Sequence, residues 1–143
     1  MKVKIKLIKD GEMPKYKTSG ASCMDCYARI ESHNPVEIKP YETKLIPLGF
    51  CVELPEGYEM QIRPRSGLSC KGLVAEIGTI DSDYRGEVGA IMNNRSSHSM
   101  FVIDGDRICQ AKIVKAERIE LEQVGELSNT ERGVNGFGST GLK

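Results

Sequence analysis

An arginine, a hydroxyl and a glycine stand together at Arg65-Ser66-Gly67-Leu68, directly after Arg63-Pro64. A guanidinium, a hydroxyl and an unencumbered backbone at one turn can hold phosphate oxygens through charge-assisted bonds and N–H groups. Taken alone, the turn is better read as a strand end closed by a solvated arginine. A second concentration of chemistry is Gly78-Thr79-Ile80-Asp81-Ser82-Asp83-Tyr84-Arg85-Gly86-Glu87, between two strand candidates. Its composition suits a charged hairpin, yet Asp81, Asp83, an aromatic ring and an arginine exceed what a turn requires. Near bound phosphate, a carboxylate can orient and deprotonate an attacking water. The third is Arg132-Gly133-Val134-Asn135-Gly136-Phe137-Gly138-Ser139-Thr140-Gly141, whose glycines let backbone approach a ligand closely. An unordered terminus has a similar composition, but one aromatic flanked by glycines, five residues after an arginine, is odd for a spacer.

Cysteine chemistry is the competing possibility. Cys23 and Cys26 form a CxxC pair, but there is no second CxxC, and His33 and His98 lie in unrelated segments. Three residues apart on a strand, the two thiols point to opposite faces. They are expected to be small buried or half-buried thiols rather than zinc ligands. Five cysteines leave at least one unpaired in any internal disulfide scheme, and a chain kept inside the cell holds all five reduced.

The elements that must position these residues show a period of two. Val3, Ile5 and Leu7 alternate with lysines, and Tyr58, Met60 and Ile62 alternate with Glu59, Gln61 and Arg63. Further strands are expected at Val36–Ile38, Lys44–Leu54, Leu73–Ile77, Glu87–Met92, Met100–Ile103, Arg107–Val114 and Arg118–Leu121, separated by turns such as Asp10-Gly11, Pro55-Glu56-Gly57 and Asp104-Gly105. Many short strands at close spacing indicate an all-β sandwich or barrel of jelly-roll type. Ser66 to Lys71 is expected as one short helix or turn. The chain divides into a β domain over 1–128 and a glycine-rich, flexible arm over 129–143.

At 143 residues the chain suits one domain, and 39% hydrophobic with 28% charged residues is ordinary for a globular protein. A formal net charge of +0 supplies no field toward nucleic acid or an anionic membrane. An anionic ligand must therefore be held by local arginines, backbone N–H groups or a metal. No apolar run approaches the roughly 18 residues of a membrane span, and the alternating amino terminus is unlike a signal peptide. The expectation is a cytoplasmic protein with no membrane association and no direct nucleic-acid binding.

In their order, these segments resemble the five motifs of the homotrimeric dUTPase family. Ala21-Ser22-Cys23-Met24-Asp25-Cys26-Tyr27-Ala28 is a poor copy of the family's S-A-G-x-D-L-x-A. Arg63-Pro64-Arg65-Ser66-Gly67-Leu68 is a close match, as is Gly78 to Glu87. Gly105-Asp106-Arg107-Ile108-Cys109-Gln110 is similar to G-D-R-I-A-Q, and the tail to R-G-x-G-G-F-G-S-T-G. The likeness runs from about Val3 to Gly141.

The resemblance implies a dUTP diphosphatase that hydrolyses dUTP to dUMP and pyrophosphate with magnesium, keeping uracil out of DNA and supplying dUMP. Asp81 would activate water for attack on the α-phosphorus, and Tyr84 would pack on the sugar and exclude a 2′-hydroxyl. Gly78, Thr79 and Ile80 would read uracil, largely through backbone groups. Arg65, Ser66, Gly67 and Gln110 would contact the phosphates, and Asp25 would hold magnesium through water, with no direct protein ligand. Arg132, Phe137, Gly138, Ser139 and Thr140 would close over the nucleotide. The resemblance further implies a homotrimer whose sites are shared between subunits. The sequence departs from the family at Cys23, at Cys26 and at Asn135, and an asparagine that often helps bind uracil has no counterpart beyond Ala75. A dCTP deaminase relative, or a regulatory nucleotide-binding trimer with a protein partner, are the alternative readings.

Overall fold

Alternation of apolar and polar side chains yields eleven short strands and one helical turn in the computed structural model, which describes residues 1–32 and 34–136. The strands pair in four antiparallel sheets. β1 (Lys4–Leu7) pairs with β5 (Phe50–Glu53), and β3 (Val36–Ile38) with β10 (Met100–Val102). β4 (Thr43–Pro47), β9 (Gly89–Asn94) and β7 (Leu73–Ala75) form a three-stranded sheet in that order. The fourth sheet runs β2 (Met24–Tyr27), β11 (Arg107–Lys115), β6 (Tyr58–Arg63), β8 (Gly78–Ile80). The helix, α1, spans Ser66–Ser69 and is the only one among the described residues, so the all-β expectation holds. None of the described helices is long and apolar enough to cross a membrane.

The period of two sends alternate side chains into one core. On β9, Ala90, Met92 and Asn94 are buried while Ile91 faces outward; on β6, Met60 and Ile62 are buried between half-buried polar neighbours. Phe50, Ile38, Ile46 and Leu48 complete the centre. Each such side chain contributes about 1.5–3 kcal/mol on burial, which exceeds the cost of ordering it. The buried polar side chain among the described residues is Asn94. Its amide donates to the carbonyls of Ile38, Lys39 and His98 at 2.9, 3.1 and 2.8 Å, and its oxygen accepts from the Ser96 amide and hydroxyl. A buried amide left unpaired would be costly, and this one ties the end of β9 to the β3 and β10 side of the core.

Three expectations change. Lys44–Leu54 is two strands, because the chain turns at Leu48-Gly49, where Gly49 takes φ +70 and its backbone lies against Gly11. A Cβ on Gly11 would sit 2.2 Å from the Gly49 carbonyl oxygen, so neither position accepts a side chain without movement. Second, Gly78 to Glu87 is not the tip of a hairpin: β8 belongs to the sheet of β6, whereas the next strand, β9, lies between β4 and β7. Third, Arg118–Leu121 forms no strand, since no sheet edge among the described residues pairs with it. Ile119, Leu121, Val124 and Leu127 are all exposed on this extended arm.

Candidate active site

The four-stranded sheet puts the polar residues of three motifs in one row. Gln110 on β11 lies opposite Asp25 of β2 on one side and Arg63 of β6 on the other. Neighbouring strands lie about 4.8 Å apart, so residues from distant parts of the chain become near neighbours. Asp25 and Gln110 are only half-buried, while Met24, Cys26, Cys109 and Ala111 on either side of them are buried. The polar row is one face of the sheet and the core is the other.

At the end of β6 Pro64 ends the ladder, and the chain enters α1 through Arg65. Gln110 Nε2 donates to the Pro64 carbonyl at 2.8 Å, which fixes the approach to the turn. The Asp25 carboxylate lies 3.5 Å from Arg65 Nε and 3.0 Å from Arg107 Nη1. Arg65 also donates to the main-chain oxygen of Arg107. Asp25, Arg65, Arg107, Gln110 and the Ser66-Gly67 turn are therefore one constellation inside a single chain. Ser66 and Gly67 are exposed at its tip, and a Cβ on Gly67 would meet nothing within 4 Å. Packing does not demand glycine there; close approach by a ligand would.

Beneath this face the cysteines behave as packing groups. Cys26 and Cys109 are opposite each other across β2 and β11, and both are fully buried. The hydrogen bond with the Cys26 thiol, and then burial, push the Cys109 thiol well above the ordinary range, so it stays protonated at neutral pH. All five cysteines are free, and Cys23 lies just outside β2.

Asp81 sits elsewhere. Thr79 is opposite Gln61 and Ile80 opposite Met60, so Asp81 falls beside Glu59, near the start of β6. Arg65 lies six residues further along the chain from Glu59. At about 3.3 Å per residue that is roughly 15–20 Å, so Asp81 and the arginine turn of one chain do not meet. Asp81 is exposed at a cleft shared with Tyr58, Glu59, Asp83 and Arg118, and its carboxylate has no hydrogen-bonding or ion-pairing partner among the described residues.

β8 is the edge of its sheet, so alternate peptide groups of Gly78, Thr79 and Ile80 point away from β6. The Ile80 side chain is buried, leaving its backbone as the part a ligand can reach. Beyond Asp81 the chain turns back, with the Tyr84 amide on the Asp81 carbonyl. Arg85 staples the turn by donating to the carbonyls of Ser82 and Tyr84. The Tyr84 hydroxyl donates to the Glu87 carbonyl at 3.1 Å, and the ring crosses Gly86, where a Cβ would lie 2.3 Å from that hydroxyl. Arg107, Arg85 and Gly86 were quoted within their motifs from sequence, and the structure adds the contacts each makes. Arg107 was in view inside its motif, but its aim depends on a bulge in β11, and the role of Gly86 on the path of the Tyr84 ring.

Arg132 is exposed, and its guanidinium donates to the Asn135 carbonyl at 2.9 Å. Residues 129–136 carry no helix or strand. Phe137, Gly138, Ser139 and Thr140 lie outside the described residues.

With this geometry in place, the likenesses to known proteins are specific. A family model described as dUTPase matches residues 9–141. The deoxyuridine 5'-triphosphate nucleotidohydrolase of Finegoldia magna is 49% identical, over 99% of both chains. That of Orientia tsutsugamushi (strain Boryong) is 50% identical over the whole of both. Among solved structures, the dUTPase of Staphylococcus bacteriophage 80alpha with dUPNHPP is 30% identical, with a TM-score of 0.88 over 99% of each chain.

Proposed function

The chain belongs to the dUTPase family and hydrolyses dUTP to dUMP and pyrophosphate, and from that premise we propose how the work is divided among its residues. Full-length relatives that carry the nucleotidohydrolase name favour hydrolysis over the deaminase and regulatory readings.

Asp81 is the general base. It takes a proton from water as that water attacks the α-phosphorus; the bond from the α-phosphorus to the bridging oxygen breaks, and pyrophosphate leaves with the electron pair. The exposed carboxylate, free of internal partners, supports this role. Arg65, Ser66, Gly67 and Gln110 receive the phosphates, with developing negative charge met by a guanidinium already in place. The outward peptide groups of Gly78, Thr79 and Ile80 read uracil, and Tyr84 lies against the sugar and leaves no room for a 2′-hydroxyl. Arg132, Phe137, Gly138, Ser139 and Thr140, in a lid over 129–143, close on the bound nucleotide and exclude bulk water.

Magnesium fits this arrangement through Asp25. No group of three or more His, Cys, Asp or Glu side chains able to hold a metal occurs among the described residues. Asp25 is the one carboxylate of the Arg65 constellation, and although it pairs with Arg65 and Arg107 it keeps lone pairs on both oxygens to accept metal-bound water. When bound, the ion supplies charge neutralisation along the triphosphate.

The single observation that carries the assembly is the separation of Asp81 from Arg65 along β6. Serving one α-phosphorus requires the Asp81 turn of one copy to face the arginine turn of another. A trimer with shared sites meets that requirement. It also covers the apolar side chains that the chain leaves exposed: Ile119, Leu121 and Leu127 on the arm, and the directly paired Leu45 and Ile91 on the sheet of β4 and β9.

The test is pyrophosphate release from dUTP, UTP, dTTP and dCTP with magnesium, together with sedimentation of the same protein. A strong preference for dUTP in a trimeric species is the expected result. Full activity in a species that sediments as a monomer would remove the shared site.

A further inference from the structure

The ladder between β2 and β11 slips by one residue on the phosphate face. Gln110 and Cys109 are opposite Asp25 and Cys26, but the next pair is Arg107 with Tyr27, leaving Ile108 as an extra residue. Had the alternation continued, Arg107 would share the face of Cys109 and Ala111 and point into the core. With the bulge, both Ile108 and Cys109 are buried, and Arg107 emerges on the same side as Asp25 and Gln110. A bulge that re-aims one side chain beside a site is a built feature of the strand.

Once re-aimed, Arg107 touches the phosphate turn by two routes. Its guanidinium holds the Asp25 carboxylate at 3.0 Å, and that carboxylate faces Arg65 Nε at 3.5 Å. Its main-chain oxygen accepts from the Arg65 guanidinium directly. We propose that Arg107 is a positioning residue for dUTP hydrolysis, which holds Arg65 in its phosphate-binding pose through Asp25 and through its own carbonyl oxygen. A free arginine side chain has many rotamers to lose on binding. One already pinned at two points loses few, so substrate binds more tightly with no added contact.

The proposal rests on the reading that Arg65 takes phosphate, and a double-mutant cycle separates the two ideas. KM and kcat for dUTP are measured with saturating magnesium for wild type, Arg65→Gln, Arg107→Gln, Arg107→Lys and the double glutamine variant, each checked by thermal melting. Arg107→Gln is expected to raise KM about tenfold with kcat within about threefold of wild type. Arg107→Lys, which still reaches Asp25, recovers most of that loss. In the Arg65→Gln background, Arg107→Gln adds less than about twofold, because the group it positions is gone.

A double variant whose loss equals the product of the singles would overturn the positioning role, for Arg107 would then act on substrate by itself. So would an Arg107→Gln enzyme with the wild-type KM. If Arg65→Gln alone leaves KM and kcat unchanged, the phosphate-turn reading falls instead. Should Arg107→Gln fail to melt cooperatively, Arg107→Met, which keeps the aliphatic stem, takes its place in the cycle.

Discussion

The arginine turn and the Asp81 turn sit on strands of the same sheet and are built on opposite plans. Around Arg65, the groups of the constellation are held within the chain: Asp25 pairs with two guanidinium groups, Arg65 donates to a carbonyl, and Gln110 fixes the approach to the turn. Around Asp81, the backbone is stapled by Arg85 and the Tyr84 amide, yet the carboxylate itself is left open. Groups that only bind can be fixed in advance, since a preset guanidinium meets phosphate with little entropy to lose. A base must keep its lone pairs free for water, so it cannot be consumed by an internal ion pair.

This contrast can be broken most sharply at Asp81. Asp81→Asn should lower kcat about a thousandfold while melting temperature and sedimentation stay as in wild type, the range for losing a general base. A loss of only a few-fold in pyrophosphate release would remove it from the chemistry. Deleting residues 129–143 should cost roughly a hundredfold in kcat/KM with the oligomer intact, as expected when a closing segment no longer orders the reactants. An active truncation would end the lid assignment. Replacing Tyr84 by Ala should narrow the preference for dUTP over UTP about tenfold, read from the ratio of kcat/KM values. Gly86→Ala pushes on the same ring, whose hydroxyl lies on the path of the new Cβ, and should narrow that ratio a few-fold. An unchanged ratio in both variants would detach Tyr84 from sugar selection. The smallest effect is expected beneath the arginine turn. Brief alkylation at pH 7, followed by mass spectrometry, should mark exposed Cys70 and leave Cys26 and Cys109 untouched.

Much of this contrast was legible in the chain itself. The alternation of Tyr58 to Arg63 placed β6, and Pro64 marked where its ladder had to stop. Asp25, Arg65 and Gln110 do converge, because β2, β6 and β11 are neighbours. Other features depend on contacts that no local pattern records. Gly49 breaks a run of apolar residues because Gly11, far away in sequence, packs against it. Gly78 to Ile80 looked like part of a hairpin because its polar composition hides a sheet edge lying against β6. The bulge at Ile108 is invisible to periodicity, since an extra apolar residue simply lengthens the apolar run. Arg118–Leu121 has a strand's pattern without a strand's partner, and pairing rather than propensity decides that outcome.

The stripe of Ile119, Leu121, Val124 and Leu127 carries a consequence for biogenesis. If the chain assembles as proposed above, each newly made copy must find its companions before it finds an off-pathway one, because a sticky, unpaired segment is a nucleus for aggregates. Recovery from urea should therefore peak at an intermediate protein concentration. Greater dilution strands single chains, while higher concentration lets clumping outrun productive association.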